Sequence, residues 1–552
     1  MTHRIPEFRR AEADTVMFAS ARAKPVADAA IAPTQEGTDA DRAPSPNPRR
    51  TWLSRAVLLL IMVMQVALTL RMHNTAFEDE ALYLYVGHLE IGHWLHGAAL
   101  QGDYPSYFSG APVLYPVLGA LADGIGGLAA ARALSLIEML LATGLVFTMS
   151  RRLFNERVGL CAAVIFSVAE PALFLGNLAT YDATALCLLA VAAWLVVRTA
   201  AFRWPGYLLA APVLVLAVAT KYASLLFVPS IIALAGLAAA PKLGRKALIA
   251  PAALGVTTAG LLAGTLYLAG PDYLTGVKFT TLDRFQGNGS VSSLLWDSAK
   301  WIGVPFALAV IGAVAYARRP FTEPGEQVAP GGGRLRRAML GAVMAGSALL
   351  APAEQIRIHT VVSLQKHVGF GLLLAAPIAG VGLARVVGDH FRRARIGIAI
   401  WGAVLALGMT EANNLFNSWP DSTVFVADMA RYLRPGAHYL VEVDEVPIYY
   451  LRGRADARPV YLDVLHRVCE QAGRLPDRRR RLRRRHQGRL LPGDRVQLPD
   501  HPCRGRHHRA HPGHRPRLPP RCRDTERRQH GQAVHLGQEP VSAVTTPRRP
   551  GA

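Results

Sequence analysis

Apolar residues fall in long, almost unbroken runs along this chain, with short polar stretches between them. A soluble amphipathic helix would instead repeat its apolar positions every three or four residues. Eleven runs stand out: 53–70, 130–149, 158–176, 183–200, 206–220, 223–240, 247–268, 301–317, 338–354, 368–388 and 396–412. A helix rises 1.5 Å per residue, so about 20 residues cross the hydrocarbon layer. The pattern therefore predicts an all-α polytopic membrane protein with about eleven transmembrane helices. The fifth and sixth runs are separated only by Thr220-Lys221-Tyr222, a poor loop, so this region reads equally as one long broken element.

The polar stretches carry their own patterns. The first, 71–129, is long, and within it Leu82, Val86, Leu89 and His93 recur at near-helical spacing. That spacing predicts an amphipathic helix over 79–96 lying in the membrane interface. After the last run, 428–433 reads as a short helix, 439–443 alternates like a strand and 448–451 follows as a second one.

Charge orients the bundle. Arg49, Arg50 and Arg55 flank the start of the first run, and Arg151, Arg152, Lys242, Arg245, Lys246, Arg392, Arg393 and Arg395 fall at alternate connections. Cytoplasmic loops carry the excess of Lys and Arg. The expected organisation is a disordered cytoplasmic tail over 1–50, a transmembrane domain over 51–412, a short extracytoplasmic portion over 413–466 and a separate tail over 467–552. In a cell membrane the N-terminus is then cytoplasmic and the C-terminus extracytoplasmic. Residues 1–50 are polar and rich in Ala and Pro, with no early apolar core, and so do not read as a signal peptide.

Composition changes abruptly at 467. From there to 552 the chain has 22 Arg against 7 acidic residues, which is most of its formal +22, and it has no Lys, Ile, Phe, Tyr, Trp, Asn or Met. An out-of-frame reading of GC-rich DNA has this composition. The alternative is a basic tail for nucleic acid or anionic lipid, but it would lie on the extracytoplasmic side and lacks aromatics for base stacking. No nucleic-acid partner is expected. Five cysteines show no CxxC or metal-ligand spacing.

Chemistry-bearing residues gather at the ends of runs that face the extracytoplasmic side. Glu78, Asp79 and Glu80 follow the first run, Asp182 follows the third, Lys221 the fifth, and Arg284, Arg357, His359, Lys366 and His367 lie in later connections. The simpler reading of the acids is a solvated loop, and of each lone base a side chain snorkelling to the interface. His359 and His367 are weak candidates for a divalent metal, set against interfacial histidines that bind none.

The stretches Phe77-Glu78-Asp79-Glu80-Ala81-Leu82-Tyr83, Ala111-Pro112-Val113-Leu114-Tyr115-Pro116, Ala131-Arg132-Ala133-Leu134-Ser135 and Ser150-Arg151-Arg152-Leu153-Phe154 together resemble the first module of the GT-C membrane glycosyltransferases. The nearest branch is family 39 with the aminoarabinose-transferase-like group, which includes the protein O-mannosyltransferases. Leu178-Ala179-Thr180-Tyr181-Asp182 and Ala217-Val218-Ala219-Thr220-Lys221 extend the likeness, which covers roughly 53–455.

The resemblance implies a GT-C-like bundle that moves a hexosyl or pentosyl group from a polyprenyl-phosphate-linked donor to a lipid, glycan or protein acceptor at the outer face. It aligns Asp79, Asp182 and Lys221 with family positions, and Asp79, Glu80 and Asp182 are the expected catalytic residues. Asp79 is the expected base, activated if burial raises its pKa. Glu80 would orient it or bind acceptor, and Lys221, Lys366, Arg284 and Arg357 are candidates for the donor phosphate. In one respect the chain departs from many aminoarabinose-type relatives: Phe108-Ser109-Gly110-Ala111-Pro112 stands where they have Glu-Lys-Pro. No cofactor is expected with certainty, and a divalent metal stays open. The rival readings are a transporter or lipid flippase, and a non-catalytic membrane protein. A transporter should carry polar residues near span centres, whereas the acids here sit at span ends.

Overall fold

In a computed structural model the described residues are 48–463, apart from 101, 201–204, 285, 320–332, 389–390, 435–437, 442 and 453–459. The expected N-terminal tail thus lies almost wholly outside them. The chain divides into units 1–465 and 466–552, and the second lies entirely outside the described residues.

The described chain is almost wholly helical. Its first half has α1 Pro48–Thr69, α2 Asp79–His96, α3 Tyr115–Leu153, α4 Glu156–Val168, α5 Glu170–Leu175, α6 Tyr181–Thr199, α7 Ala210–Thr220 and α8 Val228–Leu243. The second half has α9 Ile249–Ala269, α10 Pro271–Val277, α11 Val291–Arg318, α12 Arg334–Arg357, α13 Leu364–Val387, α14 Ala394–Ser418, α15 Thr423–Tyr432 and α16 Glu445–Tyr450. Two short strands, β1 His438–Val441 and β2 Val460–Asp463, pair in parallel.

Each of the eleven expected runs is helical. Among the described residues eight stretches are long and apolar enough to cross a membrane, and Gly206–Thr220 is a shorter apolar one. The protein is a polytopic membrane protein. Several elements outrun the apolar windows: α11 starts at Val291 rather than 301, and α14 continues to Ser418, past the expected boundary at 412. Polar helix ends at a membrane surface are invisible to an apolar-run criterion. The third run is broken instead, because Ala169 adopts an extended conformation between α4 and α5. The expected interfacial helix is α2. Residues 448–451 fall at the end of α16 rather than in a strand, since local alternation was too short to decide between the two periods.

The most enclosed of the candidate membrane spans is α13, which packs against α11, α12 and α4. Glycines let α11 and α13 meet backbone to backbone: a Cβ on Gly312 would lie 1.9 Å from Ile378 O, and one on Gly382 2.0 Å from Leu308 O. Small residues at a helix crossing supply close packing where lipid offers no hydrophobic drive. The second kink that matters is in α3, where Gly127, at φ +65°, separates a short leading segment from the long apolar one.

A candidate active site at one end of the bundle

Four helix ends meet at one point. Asp79 is the first residue of α2, Asp182 the second of α6, Lys366 the third of α13, and Lys221 the extended residue between α7 and the 3-10 turn Tyr222–Phe227. Carboxylates at the helix N-termini of α2 and α6 are favoured by the backbone dipole. The residues before α2 and α13, Glu78 and Ser363, both have positive φ, 41° and 65°. That conformation is costly for side-chain-bearing residues and tends to persist at functional sites.

The four charges form a closed set. Lys366 Nζ lies 2.8 Å from Asp79 Oδ2 and 3.8 Å from Asp182 Oδ2, and Lys221 Nζ donates to Asp182 Oδ1. Thr180 Oγ1 donates to Asp182 Oδ2 at 3.0 Å. Asp182 is fully buried and Lys221 nearly so, while Asp79 keeps 41% of its side chain exposed. Two anions matched by two cations avoid the penalty of an unpaired buried charge. Asp79 is thus the open member of the set.

Tyrosines line the set. Tyr83 OH donates to Asp79 Oδ1 at 3.1 Å and also lies 2.5 Å from Tyr181 OH, whose ring stacks on that of Tyr83. Burial pushes the Tyr83 hydroxyl well above its usual range, with Asp79 adding to the effect. Burial also pushes the Asp79 carboxyl up, but Lys366 beside it outweighs this and leaves it below the usual carboxylate range. The expectation of a raised Asp79 is therefore corrected: desolvation acts as anticipated, and an ion pair unreadable from sequence reverses the sign.

Glu80 points away from this set. Its carboxylate is fully buried and takes Arg132 Nε at 2.9 Å, Arg132 Nη2 at 2.8 Å and the backbone N–H of Ala179 at 2.8 Å. Arg132 also donates to the carbonyls of Asn74 and Thr75. This placement suits orientation rather than acceptor contact, since it ties α2 to α3 and to the loop that delivers Asp182.

The remaining candidates separate. Arg284 reaches the turn before α13, where its Nη2 donates to Val362 O at 3.1 Å, and burial lowers its pKa. Arg357 instead pairs with Glu354 at an exposed position. His359 Nδ1 is 3.2 Å from Gly289 O, whereas His367, buried, has Nδ1 3.3 Å from Gln355 Nε2. Among the described residues no group of three or more His, Cys, Asp or Glu could hold a metal ion. The two aspartates at the centre already face ammonium groups. The donor set present does not fit a divalent cation, and no chemical step is assigned to one.

Residues 108–112 have a definite place. Ala111 N donates to Ala219 O at 2.7 Å and Tyr222 N to Ser109 O at 2.8 Å, so this loop binds the backbone on both sides of Lys221. A Cβ on Gly110 would sit 2.0 Å from Thr220 O. The stretch that departs from Glu-Lys-Pro thus seats the helix break that presents Lys221.

Sequence reasoning overlooked four charged residues: Arg132, Asp123, Glu138 and Glu170. Arg132 carried a signal, as a lone guanidinium inside an apolar run. Asp123 is buried and takes His88 Nε2 at 2.6 Å, Arg452 Nη2 at 2.8 Å and the Tyr449 hydroxyl, which fastens α16 onto α2 and α3. Carboxylates are also not confined to span ends: Glu138 accepts from Thr184 at 2.8 Å, and Glu170 is fully buried with neither oxygen hydrogen-bonded.

Comparison with known proteins bears out the resemblance. Residues 116–267 match the family model of the dolichyl-phosphate-mannose-protein mannosyltransferases. No curated protein matches the sequence. Among solved structures, ArnT from Cupriavidus metallidurans, bound to undecaprenyl phosphate, superposes with a TM-score of 0.50 at 15% identity, over 78% of this chain and 89% of that one. The archaeal oligosaccharyltransferase AglB from Archaeoglobus fulgidus, in complex with an inhibitory peptide and a dolichol-phosphate, gives 0.46 at 14%, over 74% and 65%. The chain spans under two thirds of the length of that archaeal protein. The likeness to ArnT establishes a shared GT-C fold.

Proposed function

We propose that this chain is a membrane glycosyltransferase that moves a sugar from a polyprenyl-phosphate-linked donor to an acceptor at the membrane face where Asp79 lies. The observation that carries the reading is the joining of Asp79, Asp182, Lys221 and Lys366 at one end of an apolar bundle. Sugar transfer needs a base for the acceptor hydroxyl and cations for the departing phosphate. Both stand here within one hydrogen-bonded set. The family match over 116–267 and the fold shared with ArnT, solved with undecaprenyl phosphate, support a lipid-linked donor.

In this reading Asp79 takes the acceptor proton as the acceptor oxygen bonds to the anomeric carbon. The bond from that carbon to the phosphate oxygen breaks, and its electron pair leaves on the phosphate. Lys366 and Arg284, beside the first turn of α13, neutralise the leaving group. Lys221 stays as the counter-ion of Asp182 rather than as a direct phosphate contact. Glu80 and Arg132 hold the first turn of α2 in place. The face bearing Asp79 is the extracytoplasmic one, on the strength of the arginine and lysine distribution.

The test is transfer of labelled sugar from a panel of polyprenyl-phosphate hexoses and pentoses to lipid, glycan and protein acceptors, in membranes with and without the protein. Protein-dependent transfer that Asp79→Asn abolishes supports the reading. Movement of intact lipid-linked sugar across vesicles without transfer would support a flippase instead.

A further inference from the structure

The two lysines, both buried, pair differently with the two carboxylates. Lys221 is enclosed, donates to fully buried Asp182 and has its Nζ 4.8 Å from the centroid of the Tyr181 ring. Lys366 bridges, at 2.8 Å from Asp79 and 3.8 Å from Asp182, and its closer partner is the half-exposed one. Lys366 also sits in the first turn of α13, the helix end where the dipole disfavours a cation and favours an anion. Arg284 reaches the turn just before it, through Val362 O. An arriving phosphate would meet a helix N-terminus and two cations, with half-exposed Asp79 competing for Lys366.

We infer that Lys366 is an exchangeable counter-ion: it masks Asp79 while the site is empty, and the donor phosphate draws it away, so that Asp79 becomes a working base only in the loaded site. This rests on the glycosyl-transfer reading and adds the order in which its site is armed. The groups facing Asp79 are Tyr83 from α2, Asp182 and Tyr181 from α6, Lys221 from the break after α7 and Lys366 from α13. With Lys366 turned to phosphate, Asp79 keeps the Tyr83 hydrogen bond and the more remote Lys221, and loses its nearest cation. Burial and Asp182 then both favour its protonated form, and its proton affinity rises toward what a general base needs. The proton it accepts is the acceptor hydroxyl's, and the electron pair released by the anomeric carbon stays on the phosphate that now holds Lys366.

The experiment titrates Asp79 directly, without turnover. A carbodiimide modifies carboxyl groups in their protonated form, and Asp79 is exposed enough to be reached. Its labelling is followed by peptide mass spectrometry against pH in the purified full chain, with and without saturating undecaprenyl phosphate, whose binding is measured separately. The expected result is a labelling midpoint about 1–3 pH units higher with the lipid phosphate, the size of a lost adjacent cation. In Lys366→Met the midpoint should be high already and insensitive to the lipid. Lys366→Arg should restore the lipid-dependent shift, and with the wild-type chain it carries the test if Lys366→Met does not accumulate. Binding without a shift in the wild-type chain would overturn the exchange and leave the transferase reading intact. Failure to bind any polyprenyl phosphate would overturn the donor assignment itself.

Discussion

Arg132 grips Glu80 through two hydrogen bonds, Nε to Oε1 at 2.9 Å and Nη2 to Oε2 at 2.8 Å, with the carboxylate fully buried. The pair fixes the residue next to Asp79 to α3 and, through Ala179 N, to the loop before Asp182. Removing one partner leaves a buried charge unmatched, which costs about 3–5 kcal/mol. Arg132→Ala should therefore lower the melting temperature strongly. Arg132→Leu combined with Glu80→Leu should recover part of the loss, because it removes both charges together. Thermal unfolding in detergent followed by size-exclusion fluorescence measures both, and additive losses would argue against direct coupling.

Asp79→Asn keeps the shape of the side chain and removes the proposed proton acceptor. A general base contributes roughly 10²- to 10⁴-fold to rate. Turnover should fall by about that factor, with donor KM little changed. Glu80→Gln should act mainly on stability, since Glu80 faces Arg132, and Glu78→Gln should have the smallest effect of the three. Sugar transfer at equal membrane abundance gives the ranking; near-normal turnover in Asp79→Asn would remove the base assignment.

Gly110→Ala places a methyl where Thr220 O already stands. The loop 108–112 must then lift from the break that presents Lys221. Overpacking of this kind costs about 1–3 kcal/mol. The variant should lose thermal stability and transfer activity together, whereas Gly124→Ala, where a Cβ meets nothing within 4 Å, should lose little of either.

The C-terminal portion divides the same way. Asp123 binds His88, Tyr449 and Arg452, and the Tyr450 hydroxyl accepts from Ala76 N at 2.7 Å. Truncation before Glu445 should therefore loosen α2 and raise its protease sensitivity. Truncation after His466 should leave insertion and transfer largely intact, because 467–552 has no apolar periodicity with which to pack. Limited proteolysis and transfer assays on the two truncations distinguish the outcomes, and loss of folding in the longer form would show that the tail is selected.

Orientation is tested by impermeant thiol labelling on intact cells, in a background with Cys469, Cys503 and Cys522 replaced by Ser. Asp283→Cys should label and Lys246→Cys should not, as both positions are exposed. The reverse pattern would place the Asp79 end in the cytoplasm.

The sequence by itself determined the class of the molecule and the elements that build it. Runs of apolar residues decide membrane insertion through local composition, so every expected run became helical, and the spacing of Leu82, Val86 and Leu89 marked α2. It also marked Asp79, Asp182, Lys221 and Lys366 as residues of interest, since charge at the end of an apolar run is costly enough to need a reason. Only the tertiary structure decided what these residues do to one another. Lys366 meets Asp79 across 287 positions of chain, and that contact reverses the sign that burial alone would give the carboxyl. Glu80, adjacent to Asp79 in sequence, is turned toward Arg132 because neighbouring residues on a helix face different directions. Arg357 and Lys366 were both candidates for the donor phosphate, yet one pairs with Glu354 in solvent and the other with the central carboxylates. Pairing between distant helix ends depends on how the bundle closes, and no local pattern of residues carries that information.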